Sequence, residues 1–197
     1  MDCSKVGKLI LALRQEKGMT QKALADAMNI SDRTISKWER GNGCPDVSLL
    51  RELSDILGVK IEKLLAGDLE PNETDGGNMK KVKFYVCPEC GNILCCTGDS
   101  EIACCGRTLA PLTARPEDSE HAICVEEIED DFYVTMQHEM SKQHYITFAA
   151  YVTYDRVLLV KLYPEQPAEI RFPKMHGGAL YVCCSEHGLI RKMKSKK

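Results

Sequence analysis

Between Gly67 and Met79 the chain reads "GDLEPNETDGGNM", a polar run rich in glycine and acidic residues and interrupted by proline. Such a run reads as a linker, so one continuous core across all 197 residues is excluded. The apolar pattern also changes across it. Before the run, Val6, Leu9, Ile10 and Leu13 recur at helical spacing, and nothing up to Ala66 reads as a strand. After it come short runs with the character of strands: "HAICVEEI", "DFYVTM", "HYITFAAYVTY", "RVLLVKLY", "AEIRF" and "ALYVCC". The expectation is therefore multidomain: an all-α unit over 1–66, a linker over 67–79, a small cysteine-dense unit over 80–112 and an antiparallel all-β sandwich or barrel over 113–197.

Composition sets the compartment. Hydrophobic residues at 44% and charged ones at 28% are ordinary for a globular chain. No apolar run approaches the ~20 residues that span a bilayer. The opening "MDCSKVGKLILALRQEKG" lacks the cleavage pattern of a signal peptide, so the expectation is a cytoplasmic protein without membrane contact. In that reducing setting, eleven cysteines point to metal or redox chemistry before disulfides.

The helical part is punctuated by caps. "EKG" stops the first helix, Thr20 caps "QKALADAM", and Ser31 caps "DRTISKWER", which "GNG" ends. Asp46 opens "VSLLRELSDILG", and "KIEKLL" supplies the fifth helix. In "MTQKALADAMNISDRTISKWERG", Leu24, Ala25 and Met28 face inward from the first helix of a helix-turn-helix, Ile30 fills the turn, and Ile35 and Trp38 anchor the second. Asp32, Arg33, Ser36, Lys37 and Arg40 are left on the outer face. Such a bundle serves DNA binding or protein contacts. The block "TQKALA…NIS…TISKWERG" resembles the lambda-repressor/Cro family of DNA-binding domains. The resemblance implies that Gln21, Ser31, Thr34 and Arg40 touch the DNA backbone and that Asp32, Arg33 and Lys37 read bases, with Ser36 on the same face. With 11 Lys and Arg against 9 Asp and Glu over 1–66, non-specific attraction is weak, and a homodimer on paired half-sites of a double-stranded operator is the expectation.

"CPECGNILCCTGDSEIACCG" brings Cys87 and Cys90 together with Cys104 and Cys105. A CxxC turn aims two sulfurs at one ion, and four thiolates suit tetrahedral iron or zinc. Cys95 and Cys96 are an extra pair expected to stand aside. "CPECGNI" followed by "CCGRTL" looks like the small desulforedoxin-like domain of desulfoferrodoxin.

Further on, His138 and His144 flank "EMSKQ", and "CSEHG" has a Cys-x-x-His spacing. By themselves two such histidines flanking a turn are more often on a surface than in a site. His121, His138, His144, Cys184 and His187 together resemble the ligand set of superoxide reductases, over a span from Lys80 to about Lys192. That resemblance implies an immunoglobulin-like β-sandwich holding non-haem iron through four histidines and one axial cysteine, with superoxide as substrate and an electron donor such as rubredoxin. In the same register Cys183 points to the opposite side of its strand. Three features depart from the family pattern: Glu120 replaces the lysine before the first ligand histidine, Glu139 replaces a proline, and Phe148 replaces a tryptophan. Three roles follow: a superoxide reductase tethered to DNA, a superoxide- or redox-sensing transcriptional regulator with little turnover, or a regulator whose metals are purely structural. Glu120 weighs toward the sensor.

Overall fold

The computed structural model describes residues 2–71 and 78–192. Of the expected linker, residues 72–77 lie outside the described residues. The chain divides into two compact units, 1–71 and 72–197.

Five α-helices make the first unit: α1 (Cys3–Glu16), α2 (Gln21–Ala27), α3 (Asp32–Glu39), α4 (Leu50–Leu57) and α5 (Ile61–Ala66). Asp2, Thr20 and Ser31 cap α1, α2 and α3 by accepting from backbone N–H groups of the first turn. The fourth helix starts later than its sequence suggests. Asp46 accepts from Ser48 N–H and opens a 3₁₀ turn over Val47–Leu49, and α4 begins only at Leu50. Val6, Ile10, Leu24, Ile35, Trp38, Leu53 and Leu64 are buried in one core. Helices α1 and α3 touch backbone to side: a Cβ on Gly7 would lie 2.0 Å from the Trp38 carbonyl oxygen. One charged pair is buried in this unit. Arg14 Nε meets Glu39 Oε1 at 2.5 Å, Arg14 Nη1 donates to the Met19 carbonyl at 2.6 Å, and Gln21 Nε2 donates to Glu39 Oε2 at 2.7 Å.

The expectation that cysteines hold metal rather than disulfides is corrected at one place. Cys3 and Cys44, members of neither cysteine cluster, are disulfide-bonded with Cα atoms 4.9 Å apart. Folding brings the loop after α3 onto the start of α1, a proximity that spacing along the chain does not reveal.

The second unit opens with two hairpins, β1 (Lys83–Val86) with β2 (Ile93–Cys96), then β3 (Ile102–Cys104) with β4 (Arg107–Leu109). Eight further strands form two sheets. In the three-stranded sheet β7 (Asp131–Met136) lies between β6 (Ile123–Ile128) and β10 (Glu169–Pro173). The five-stranded sheet has the order β5 (Arg115–Pro116), β12 (Gly188–Arg191), β11 (Ala179–Cys184), β8 (Ile146–Val152), β9 (Val157–Lys161). All pairs are antiparallel except β5 with β12. Ile123, Val134, Ile170 and Phe172 from one sheet pack against Ile146, Ala149, Val182 and Ile190 from the other, which makes a sandwich. The outer face of the larger sheet is apolar as well: Phe148, Ala150, Val152, Cys183 and Leu189 cluster there, covered by Phe84 of β1. Phe84 stacks 5.6 Å from Phe148 and 5.9 Å from Tyr181. The cysteine-dense segment has a small cluster of its own, with Tyr85, Cys87 and Leu109 buried, and through Phe84 it shares this larger one.

Candidate metal centres and nucleic-acid surface

The four sulfurs of Cys87, Cys90, Cys104 and Cys105 lie within 4.8 Å of one another. Two tight turns put them there. At the first, Gly91 (φ +66°) donates its N–H to the Cys87 carbonyl at 2.9 Å. At the second, β3 and β4 pair Cys104 with Arg107 across a two-residue loop, and both loop residues, Cys105 (φ 50°) and Gly106 (φ 76°), are left-handed. That is the demand of a type I′ hairpin turn, and filling its first place with cysteine turns Cys105 toward the other three sulfurs. Backbone N–H groups of Cys90 and Glu89 hold the Cys87 thiol down at about 7. Hydrogen bonding to Cys90, Cys87 and Cys104 pushes Cys105 up to about 12. Four thiols this close resist ionising together unless a cation sits among them, which is what a four-cysteine metal site provides. Cys95 and Cys96 lie on β2 outside the group.

The second cluster is built from three loops at one end of the sandwich. His121 precedes β6, His138 and His144 lie between β7 and β8, Cys184 ends β11, and His187 lies in the turn to β12. The imidazoles close a ring: centroids are 5.0 Å apart for His121–His138, 4.5 Å for His138–His144, 5.1 Å for His144–His187 and 4.8 Å for His187–His121. The Cys184 sulfur is 3.2 Å from His144 Nε2 and 3.5 Å from His187 Nδ1. A register shift between Cys183 and Cys184 re-aims the strand end. Cys184 faces the inter-sheet core, while Cys183 lies in the Phe84 cluster, its thiol raised to about 11 by burial.

Other side chains hold the ring from behind. Asp118 Oδ1 lies 2.8 Å from His121 Nδ1, and Arg115 Nη1 donates to Asp118 Oδ2 at 2.6 Å. The His121 interaction, foremost, holds the Asp118 carboxyl down at about 2. His138 Nδ1 bonds the Glu139 carbonyl, and His144 Nδ1 lies 3.4 Å from Glu139 Oε2. With the Nδ1 atoms engaged, His121 Nε2 and His138 Nε2 are buried without a hydrogen-bond partner. Burial also lowers the His138 pKa, which favours the neutral ring. Buried, unpartnered, neutral imidazole nitrogens beside a thiol are the donor set a transition-metal ion takes, iron among them, so these residues fit such an ion. Asp118 and Glu139 were not singled out from sequence as supports. The available signal was an aspartate three residues before a histidine, where it accepts the N–H groups of Glu120 and His121 at 3.1 and 2.9 Å.

In the helical unit, Asp32, Arg33, Lys37 and Arg40 are exposed, and Thr34 and Ser36 partly so. Several of these side chains already have local partners. The Ser31 and Thr34 hydroxyls bond each other at 2.9 Å, and Arg40 Nε donates to the Ser36 carbonyl at 3.0 Å. Gln21 gives its amide N–H to Glu39, which leaves its carbonyl oxygen for other partners. Glu120 is exposed beside the buried His121. No helix among the described residues is long and apolar enough to cross a membrane.

A helix-turn-helix family model matches residues 10–64. The chain is 38% identical over 77 residues to the HTH-type transcriptional activator BcrR of Enterococcus faecalis, which covers 38% of this chain and 38% of that protein. It is 34% identical over 58 residues to the uncharacterized HTH-type transcriptional regulator YazB of Bacillus subtilis, 29% of this chain and 84% of that protein. The crystal structure of the superoxide reductase from Treponema pallidum superposes with a TM-score of 0.50 at 20% identity, covering 56% of this chain and 95% of that one. That likeness is one of fold.

Proposed function

The chain belongs, through residues 10–64, to the helix-turn-helix family of DNA-binding transcriptional regulators, and from that premise we propose that it is a regulator carrying a non-haem iron module that reacts with superoxide. The observation that carries the reading is the closed ring of four imidazoles with the Cys184 sulfur against two of them. His121, His138, His144, His187 and Cys184 would hold ferrous iron, which supplies one electron to superoxide and, with two protons from solvent, yields hydrogen peroxide. With only five side-chain donors, a bound iron would have room for a small anion as well. A structural zinc site needs four donors and no such place, which weighs against metals that are merely structural here.

The chain's own residues prepare that chemistry. Asp118 and Glu139 orient His121 and His144 and lend them negative charge, as carboxylates behind metal-bound imidazoles do. As a ligand, the Cys184 sulfur would add electron density at the metal, a lever thiolates also exert on haem iron. Cys87, Cys90, Cys104 and Cys105 would hold iron or zinc, and as iron they would form a second electron store fed by a donor such as rubredoxin. On the helical unit, Arg33 and Lys37, with Asp32, read base edges of a double-stranded operator. Gln21, Ser31, Thr34, Ser36 and Arg40 set the helix on the backbone, with two copies of the chain on paired half-sites.

Sensing with little turnover is the second reading. It is favoured by Glu120, an exposed carboxylate beside His121 where the reductases carry lysine. Metal analysis and absorption of protein purified without oxygen test the ligand assignment. About two metals per chain are expected, and Cys184→Ser should erase the sulfur-to-iron band of the five-donor site while leaving the four-cysteine spectrum intact. Zinc filling both sites would sink the assignment.

A further inference from the structure

Cys3 and Cys44 take part in neither metal group, yet they tie two functional parts of the helical unit together. Cys44 ends the loop "GNGC" that leaves the DNA-reading helix α3, and Cys3 is the first residue of α1. The loop between them and α3 fits closely at both ends. Gly41 (φ +73°) approaches α1 so nearly that a Cβ there would lie 3.0 Å from Ser4 Cα. Asn42 N–H donates to the Lys37 carbonyl at 3.0 Å. At Gly43 a Cβ would lie 3.0 Å from Lys37 Cε, so the stem of Lys37 runs over the residue next to Cys44. The cross-link therefore fixes the loop on which a base-facing lysine rests.

We propose that Cys3 and Cys44 are a reversible thiol-oxidation site, closed to the disulfide by hydrogen peroxide and reopened by a dithiol, whose closure tightens DNA binding by fixing the loop beneath Lys37. Both residues are partly exposed, so a small oxidant reaches them. In the reduced protein the Cys3 sulfur, as its anion, is the attacking group. Attack on peroxide forms an S–O bond, breaks O–O and releases hydroxide. The Cys44 sulfur then displaces the second oxygen as water when it loses its proton, and the S–S bond forms. Two electrons leave two thiols, and both peroxide oxygens end as hydroxide or water. Reopening is thiol–disulfide exchange with an external dithiol, which leaves as its own disulfide. The source of the peroxide and the base-reading role of Lys37 rest on the function proposed above, whereas cross-linking by added peroxide is read by mass spectrometry independently of both.

The test uses the full-length, metal-loaded protein, reduced and then given one equivalent of hydrogen peroxide. Alkylation with N-ethylmaleimide and peptide mass spectrometry should find positions 3 and 44 unalkylated and cross-linked. Binding to a duplex selected by the protein from a random-sequence pool should tighten about 2- to 10-fold on oxidation, the gain from holding one loop and one long side chain in place. A dithiol should reverse both changes. Cys44→Ser and Cys3→Ser, checked for folding by Trp38 fluorescence, should show neither. The wild-type comparison before and after peroxide stands even if a variant fails to fold. Positions 3 and 44 still fully alkylated after peroxide would overturn the proposal, and so would a disulfide that forms while affinity stays within twofold.

Discussion

Glu39→Ala is the most exacting perturbation of the helical unit. Glu39 and Arg14 have side chains only 4% and 10% exposed, and Glu39 accepts from Arg14 Nε at 2.5 Å, from Arg14 Nη2 at 3.0 Å and from Gln21 Nε2 at 2.7 Å. Removing the carboxylate strands a guanidinium away from water with the Met19 carbonyl as its remaining hydrogen-bond partner. Breaking one side of a buried ion pair costs about 3–5 kcal/mol. A unit of this size has a total stability of roughly 3–10 kcal/mol. The loss is thus about a third of it or more. Trp38 is the only tryptophan and is buried next to Glu39 in α3, so its fluorescence reports on this unit within the whole protein. With a urea dependence of ~1 kcal/mol per molar for so small a unit, the midpoint should fall by about 3–5 M. Arg14→Met combined with Glu39→Leu should recover most of the loss, because neither charge then needs burying. A Glu39→Ala midpoint equivalent to less than ~0.5 kcal/mol of change would refute the reasoning, since the pair would then have to be hydrated in solution.

On DNA, Arg33→Ala and Lys37→Ala should each weaken specific binding by ~1–3 kcal/mol and relax base preference, whereas Arg40→Ala should weaken all sequences alike; fluorescence anisotropy on matched and mismatched duplexes separates the two. Asp118→Asn should lower iron affinity at the five-donor site about 10- to 100-fold and leave the four-cysteine site unchanged, as competition with a chelator would read out. Glu120→Lys should speed the reaction with superoxide and reverse its salt dependence: with Glu120 the rate rises slightly as salt screens repulsion, and with lysine it falls. The neighbouring acids weigh less on that rate, because Glu117 pairs with Lys192 at 3.2 Å and Asp118 with Arg115 at 2.6 Å. An unchanged rate in Glu120→Lys across a salt series would remove the main support for the sensing reading.

What sequence could reveal here was set by how local each cause is. Thr20 and Ser31 cap the helices that follow them within four residues, and Leu24, Ile35 and Trp38 obey one helical period, so the helix-turn-helix reads directly from the chain. The turn holding Cys87 and Cys90 is equally short-range. The imidazole ring was approached only through family resemblance, because His121 and His187 meet across 66 residues and spacing alone says nothing of that contact. Strand β12 stayed hidden because "GLIR" is four residues long and is defined by its partners β11 and β5. The same holds for Phe84, an ordinary apolar residue in sequence, which becomes the lid on the outer face of the larger sheet. Glu39 reads as one more exposed charge of a helix end until Arg14 arrives from α1. Cys3 and Cys44 look like strays among eleven cysteines for the same reason.

The central claim is a regulator whose five-donor module takes an electron to superoxide, and pulse radiolysis tests it most directly. Full-length protein purified without oxygen and loaded with ferrous iron should remove superoxide in a bimolecular reaction, one equivalent per five-donor site, with hydrogen peroxide as product and no dioxygen released. His121→Ala and Cys184→Ser should lose that reaction while still binding DNA. Superoxide decaying no faster than its spontaneous disproportionation in the presence of the fully loaded wild-type protein would contradict the account.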